Sequence, residues 1–308
     1  MTPPFDPEAG PFLNAHCHLE LGHLRGAITP GLDFVSWLER LVQLKKASSL
    51  AASTGGAREG ISLLRATGTD AICDVVSMYT SVEPLREASR EGMKTLAFRE
   101  ILTPHPLLAG EAVETAILQE TAGVPWGLSP HAPHTTSAPL LRRAAREARE
   151  AGRWLCIHAA ETGEEVEVMM AGTGPLREFG AEFYPADWSP PGMRPIEYLH
   201  ECGCLGPRTL LAHVNHAADH EVELIRRTGT SVVVCPGAHC WFGRGEFPLR
   251  RLLDAGVRVY LGTDSLASNW DLDMRTEVRL AAELTPGVDP ARIAALADAR
   301  RAGDFISV

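Results

Sequence analysis

The stretch FLNAHCHLE, residues 12–20, decides the fold. It begins with apolar residues and ends with His16 and His18, which a single cysteine separates. Side chains two positions apart on a strand share a face, so both imidazoles are expected on one side and Cys17 on the other. The stretch therefore predicts a buried strand that carries two histidines at its carboxyl end.

Seven more apolar segments follow, each ending in polar or glycine-rich residues and each followed by a stretch with helical periodicity. The eight predicted strand segments are 12–20, 70–77, 94–101, 125–131, 154–161, 209–213, 231–236 and 258–264. Eight βα units predict a (β/α)8 TIM barrel of the α/β class. We expect residues 1–308 to form this barrel as one domain.

A doubly wound open sheet is the alternative fold, because it also places ligands at the carboxyl ends of parallel strands. Its dinucleotide-binding form has a G-x-G-x-x-G turn after the first strand, and no such motif follows residue 20. The barrel is therefore preferred.

Composition limits the classes of function. The chain is 45% hydrophobic and 22% charged, and no apolar run is long enough to predict a membrane span. The opening residues MTPPFDPEAG lack the basic start and apolar stretch of a secretory signal, so a cytoplasmic location is expected. Seven scattered cysteines predict reduced thiols, and a net charge of −10 disfavours nucleic acid as a partner. These limits are compatible with a small-molecule substrate, and the composition does not distinguish a monomer from a homo-oligomer.

Reactive side chains collect at the carboxyl ends of the predicted strands, which is the active-site face of such a barrel. They are His16, His18, His131, His158, Glu161, His213 and Asp264. Three imidazoles and one carboxylate, from His16, His18, His158 and Asp264, form a ligand set suited to Zn²⁺, with Fe²⁺ as the alternative. A further coordination position would hold water. For His16 and His18 taken alone, two core histidines bonded to backbone are the structural alternative.

A site for two ions would normally need a bridging anionic ligand from the fourth strand, often a carbamylated lysine. The fourth segment, PWGLSPHAP, contains no lysine. One divalent ion per chain is therefore predicted.

Residues 172–195 interrupt the βα rhythm with five prolines and four aromatic residues. The segment is too long for an ordinary βα loop. One interpretation is a flap over the active-site mouth, in which Trp188 covers the substrate and Arg194 pairs with an acidic group of it. The other is a surface excursion packed by its own aromatic residues.

The motifs together resemble the amidohydrolase superfamily, and within it the branch of S-adenosylhomocysteine, methylthioadenosine and aminodeoxyfutalosine deaminases. The resemblance runs from residue 12 to about residue 284, most strongly to the aminodeoxyfutalosine-deaminase-like subgroup. The motifs are NAHCHLELGHLRG, DFVSWL, LSPHAPHTTS, HAAET, GTGPLREF, LLAHVNH and GTDSLASN.

The resemblance implies a hydrolytic deaminase that acts on an adenine-type nucleoside or a related amino-heterocycle through a metal-activated water. It implies that Asp264 is both ligand and proton acceptor, that His213 stabilises the developing charge, and that Glu161 protonates the ring and the leaving ammonia. His131 resembles a residue that binds the heterocycle, with a satisfied core histidine as the alternative. Trp37 resembles a pocket-closing residue, although its helical spacing also suits plain packing.

Two features depart from the family pattern. Relatives carry longer segments before the first strand and after the last helix, which pair into a β-sandwich, whereas eleven residues precede Phe12 here. We therefore expect the flanking sandwich to be absent. The turn after the seventh strand reads CPGAHCWFGRGEFPL where many relatives have Cys-Pro-x-Ser-Asn, so its substrate contacts cannot be transferred.

Other functions remain open on the sequence. The same activated water would serve an amidohydrolase or a chlorohydrolase acting on another carbon–nitrogen or carbon–halogen bond. A truncated relative without turnover, which only binds metal or ligand, is a third interpretation. Glu161, His213 and Asp264 together argue against that last one, because a binding protein needs no proton carrier.

Overall fold

The computed structural model describes residues 6–8, 10–119, 121 and 123–306. Within them, eight parallel strands form one sheet in the order β1 to β8. Their bounds are β1 Phe12–Cys17, β2 Thr69–Val76, β3 Lys94–Ile101, β4 Trp126–Pro130, β5 Leu155–Ala159, β6 Thr209–His213, β7 Ser231–Val234 and β8 Arg258–Leu261. Each observed strand overlaps a predicted segment. The predicted (β/α)8 barrel is confirmed.

Helices separate the strands along the chain. In the described residues the α-helices are α1 Phe34–Ala47, α2 Leu50–Ala66, α3 Val82–Arg90, α4 Ala109–Leu118, α5 Ala138–Glu150, α6 Gly163–Ala171, α7 Pro175–Phe179, α8 Pro195–Glu201, α9 Asp219–Thr228, α10 Pro236–Trp241, α11 Leu249–Asp254, α12 Met274–Leu284 and α13 Pro290–Ala294. Short 3-10 helices span Leu19–Leu24, Pro106–Leu108, Pro133–Thr135, Ala295–Ala297 and Ala299–Asp304. None of the described helices combines the length and apolar character needed to cross a bilayer.

The barrel closes where the end of β1 meets the residues after β8. Cys17 forms a parallel bridge with Asp264, and the backbone N–H groups of Thr263 and Asp264 both donate to the carbonyl of His16 at 3.1 Å. Gly262 lies against the same strand, because a Cβ at this position would be 2.7 Å from the His16 carbonyl oxygen. The closing seam thus holds two of the predicted metal-ligand strands together.

The first strand changes face along its length. Leu13 and Ala15 pack inside the barrel, and simple alternation would also turn Cys17 inward. Cys17 instead packs outside, against α2, because the register of β1 against β2 shifts between Asn14 and Cys17. The irregularity leaves His16 and His18 on the inner side at the mouth of the barrel, with ring centroids 4.9 Å apart.

Buried glutamates anchor the loops at the carboxyl ends of the strands, each through backbone N–H donors. Glu20, for example, accepts from the N–H groups of Ser77, Met78 and Thr80 at 2.7–2.9 Å. The other anchoring glutamates are Glu165, Glu221 and Glu277. Each has almost no exposed surface, so these side chains replace water as partners for the loop backbone.

The opening residues, in which we predict no secretory signal, lie mostly outside the described residues.

Candidate metal centre and active site

The barrel places the predicted reactive residues at one end. His16 belongs to β1, His158 to β5, and His213 is the last residue of β6. His18, His131, Glu161 and Asp264 follow β1, β4, β5 and β8 within three residues of the strand end. Because the strands are parallel, all of these side chains surround the carboxyl-terminal mouth of the barrel.

Three imidazoles converge on one point in this mouth. One ligand atom each of His16, His18 and His158 lies within 4.8 Å of the others, and Nε2 of His18 is 3.2 Å from Nε2 of His158. An oxygen of Asp264 is 3.7 Å from Nε2 of His18. The four residues predicted to bind an ion therefore lie together.

Neighbouring groups orient these ligands. His158 donates from Nδ1 to the carbonyl of His131 at 2.9 Å, and because a carbonyl can only accept, Nε2 of His158 carries its single lone pair. The other oxygen of Asp264, Oδ2, accepts from the hydroxyl of Ser268 at 2.8 Å. Such supporting hydrogen bonds are typical of metal ligands, because they fix the tautomer and the direction of each donor atom.

The environment suits a divalent cation. Nε2 of His16 is buried and has no hydrogen-bond partner among the described residues. Burial, and to a smaller extent the crowding of basic side chains, lowers the pKa values of His16 and His18, so both rings are neutral near pH 7 and offer lone pairs. Burial raises the pKa of Asp264 to about 6, and a cation would relieve the cost of its ionised form. The donor set thus fits a divalent metal.

Backbone strain is concentrated around the same mouth. Among the described residues, the non-glycine positions with positive φ are Tyr79, Ala160, His213, Val214 and Asp264. Each lies at or just beyond the carboxyl end of a strand. Strain of this kind costs about 1–3 kcal/mol per residue and persists where the surrounding structure requires it, most often at functional sites.

Glu161 lies between a histidine and an arginine. Its Oε1 accepts from Nη2 of Arg244 at 2.7 Å, and its Oε2 is 3.8 Å from Nε2 of His213. Burial by itself raises the pKa of Glu161, but the adjacent imidazole of His213 and the guanidinium of Arg244 favour the carboxylate and lower the pKa to about 2. For the imidazole of His213, burial acts in the opposite direction and lowers the pKa to about 3. His213 is therefore neutral near pH 7, and Arg244 is the permanent charge that keeps Glu161 ionised.

Arg244 was not among the residues predicted from the sequence. It lies in the turn after β7, where the departure from the family motif was the available signal. That turn gives no local indication of which strand end the arginine would reach.

Glu100, at the carboxyl end of β3, is a second residue that the sequence prediction missed. One of its oxygens lies within 4.8 Å of ligand atoms of His131 and His158, which makes a second group of three metal-type donors. His158 has one lone pair, so this group competes with the first one for it. His131 donates from Nδ1 to the hydroxyl of Thr135 at 2.7 Å, since that hydroxyl itself donates to a carbonyl. Nε2 of His131 is therefore free to accept from a ligand.

Trp37 and His216 lie outside the histidine cluster. The indole of Trp37 is buried, packs edge-on against Phe242 at 5.2 Å, and donates to the carbonyl of Ala267 at 2.8 Å. Trp37 therefore joins α1 to the loop that carries Asp264. His216 is exposed.

The segment 172–195 contains α7 and packs partly on itself. The ring centroids of Tyr184 and Trp188 lie 4.4 Å apart with the ring planes tilted by 42°, and the guanidinium of Arg177 lies over both rings. Trp188 also lines a cleft of about 310 Å³ between this segment and the loops after β3 and β4.

Arg194 is not brought to the histidine cluster. Its Nε donates to the buried carboxylate of Glu221 at 2.7 Å, and its Nη2 donates to the carbonyl of His216 at 2.5 Å. Two of its donors thus anchor α8 to α9, rather than facing the mouth of the barrel.

Comparison with known proteins agrees with this geometry. Residues 11–297 match the sequence profile of the Amidohydrolase family. The chain is 32% identical over 298 residues to an aminodeoxyfutalosine deaminase of Deinococcus radiodurans, covering 92% of this chain and 69% of that protein. It is 30% identical over 290 residues to a 5-methylthioadenosine/S-adenosylhomocysteine deaminase of Pyrococcus furiosus, covering 88% of this chain and 62% of that protein.

The fold also matches a solved structure, an adenosine deaminase from Xanthomonas campestris with bound zinc. The TM-score is 0.71 at 24% identity, and the match covers 89% of this chain and 60% of the solved one. This chain thus spans about two thirds of the lengths of its relatives. Because the family profile covers residues 11–297 and the two relatives align over nearly the whole chain, the chain belongs to the amidohydrolase family, in the branch that contains the aminodeoxyfutalosine and methylthioadenosine/S-adenosylhomocysteine deaminases.

Proposed function

We propose that this chain is a metal-dependent hydrolase that deaminates an adenine-type nucleoside or a related amino-heterocycle. One observation carries the proposal: the ligand atoms of His16, His18 and His158 converge beside Asp264, in the same barrel mouth as Glu161 and His213. The names of the Deinococcus and Pyrococcus relatives, an aminodeoxyfutalosine deaminase and a 5-methylthioadenosine/S-adenosylhomocysteine deaminase, support the choice of substrate class.

His16, His18, His158 and Asp264 would hold the ion. Nitrogen-rich donor sets suit Zn²⁺, and the Xanthomonas relative carries zinc, so we propose Zn²⁺ with Fe²⁺ as the alternative. When bound, such an ion lowers the pKa of a coordinated water to about 7. The single lone pair of His158 supports one ion per chain.

The proton transfers would be divided between two carboxylates. Asp264, held by Ser268, accepts the proton of the attacking water as its oxygen bonds to the amine-bearing carbon. Glu161, ionised at rest beside Arg244, would take up the other proton of that water and deliver it to the ring nitrogen. The proton taken by Asp264 would then pass through Glu161 to the amino group, whose bond to carbon breaks to release ammonia. His213 is neutral and lies beside Glu161, where its ring N–H can stabilise the charge that develops on the attacking oxygen.

The walls of the mouth would bind the heterocycle. His131 presents Nε2 as an acceptor because Thr135 holds its Nδ1, and this suits an N–H or O–H group of the substrate. Trp37 closes the side next to the Asp264 loop. Trp188 would cover the mouth from the segment 172–195.

The test is product identification. Zn²⁺-loaded protein is incubated in ¹⁸O-labelled water with adenosine, methylthioadenosine, S-adenosylhomocysteine and aminodeoxyfutalosine, and mass spectrometry follows replacement of the amino group by labelled oxygen. At least one substrate should release ammonia and gain one ¹⁸O atom. Asp264→Asn is the control and should give no product. Failure with all four substrates, together with hydrolysis of an amide or a chlorinated heterocycle, would replace deamination by the other hydrolase function.

A further inference from the structure

The turn after β7 is built to hold one arginine. α10 ends at Trp241, and Gly243, with φ of +58°, reverses the chain. The backbone N–H of Arg244 then donates to the carbonyl of His239 at 3.2 Å. The buried His239 ring donates from Nε2 to the carbonyl of Gly245 at 3.0 Å. The backbone is thus fixed on both sides of Arg244.

The side chain of Arg244 is shielded from water. Its guanidinium lies 4.6 Å from the ring centroid of Phe242, and Nη2 donates to Oε1 of Glu161 at 2.7 Å. The side chains of Arg244 and Glu161 are 9% and 15% exposed. A charge-assisted hydrogen bond this close and this well buried strongly restricts the direction of the carboxylate.

The remaining polar groups of Glu161 are also engaged, apart from one oxygen. Its backbone N–H donates to Oε2 of Glu165 at 2.8 Å, and its carbonyl accepts from Nδ2 of Asn215 at 3.1 Å. Arg244 occupies Oε1, so Oε2, 3.8 Å from His213, is the oxygen left for proton transfer. Without Arg244, rotation about the carboxyl bond would exchange the two oxygens.

We propose that Arg244 is a positioning residue for the reaction, which holds the carboxylate of Glu161 so that Oε2 faces His213 and the reacting centre. The inference rests on the proposed function, because it assigns the proton carrier a fixed orientation. The physical reason is geometric: proton transfer needs a heavy-atom separation of about 2.6–3.2 Å, and misplacement of a catalytic group by about 1 Å can cost about 100-fold in rate.

The test combines kinetics with a structural measurement. Arg244→Gln should lower kcat about tenfold or more and change KM less, and Arg244→Lys, which keeps the charge but not the planar fork, should recover part of the loss. In a Glu161→Gln background, Arg244→Gln should have little further effect on kcat, because the arginine acts through that carboxylate. Arg251→Gln is the matched control, since Arg251 donates from Nη2 to the carbonyl of Ala217 instead, and it should leave kcat unchanged.

Crystal structures of Zn²⁺-loaded Arg244→Gln and Arg244→Lys provide a readout that does not depend on activity. We expect the Glu161 carboxylate to turn away from His213 in the glutamine variant and to keep its direction in the lysine variant. Unchanged kcat in Arg244→Gln, full additivity with Glu161→Gln, or an unmoved carboxylate would each overturn the inference. Absence of any deamination in the parent protein would instead count against the proposed function, and the crystallographic comparison would still decide whether Arg244 positions Glu161.

Discussion

A single methyl group at Gly262 should disturb the metal centre. A Cβ there would lie 2.7 Å from the carbonyl oxygen of His16, and 2.9 Å from both its backbone nitrogen and its Cβ, whereas ordinary contacts begin at 3.4 Å. The end of β1 must therefore move from β8 by roughly 0.7 Å. Overpacking of this kind costs about 1–3 kcal/mol.

The cost should appear in both stability and metal affinity, because the same seam carries His16 and Asp264. We expect Gly262→Ala to lower the free energy of unfolding by about 1–3 kcal/mol in urea denaturation of the metal-free protein. Competition titration against a fluorescent chelator should show Zn²⁺ affinity reduced by roughly tenfold, which corresponds to about 1.4 kcal/mol.

Gly55→Ala is the matched control. Gly55 lies in α2, and a Cβ there meets no atom within 4 Å. The change should stabilise the protein by about 0.5–1 kcal/mol, because alanine loses less backbone freedom in a helix, and Zn²⁺ affinity should stay the same. If Gly262→Ala unfolded at the parent urea concentration and bound Zn²⁺ as tightly, the close-approach argument would be wrong.

Other substitutions separate ligand, proton carrier and flap. His158→Ala should abolish both activity and metal binding. Elemental analysis of the parent protein should find one Zn²⁺ per chain, and two tightly held ions would refute the single-ion proposal. Glu161→Gln should keep the metal while kcat falls about 100-fold or more, so metal loss would make Glu161 a ligand. Arg194→Ala should lower the free energy of unfolding by about 1.5–3 kcal/mol, because it leaves the buried carboxylate of Glu221 without its charged donor; an unchanged denaturation curve with a raised KM would restore the substrate-contact role. Trp188→Ala should raise KM for the substrate that the enzyme deaminates. A lower melting temperature at constant KM would instead show that the segment 172–195 contributes to packing and not to substrate binding.

The strands could be predicted closely because their signal is local. Each is a short apolar run with polar or glycine-rich residues at its end, and a strand buried on both faces needs little else. The predicted carboxyl ends of the strands were less accurate. His18 and Asp264 were assigned to strands but lie just beyond them, because the closing seam and the 3-10 turn after β1 depend on contacts with distant residues.

The clustering of the candidate metal ligands could also be predicted, since parallel strands bring their carboxyl ends to one face whatever the details of packing. His16, His18, His158 and Asp264 do lie together. Arg194 shows the limit of the same reasoning. Its position after an aromatic segment suggested a substrate contact, but its partner Glu221 is 27 positions away, and nothing in either local sequence indicates the pairing.

The sequence by itself thus determined the barrel, the face on which chemistry is placed and the donor types available to a metal, because periodicity and strand order are properties of neighbouring residues. Only the tertiary structure decided which of these donor atoms are already hydrogen-bonded within the protein and which remain available to a metal or a substrate. The tautomer of His158 depends on the carbonyl of His131, just beyond the end of β4, and the orientation of Glu161 depends on Arg244, 83 positions along the chain. A hydrogen bond or a buried ion pair requires two groups to meet at a defined distance and angle, and that condition is set by how the whole barrel closes.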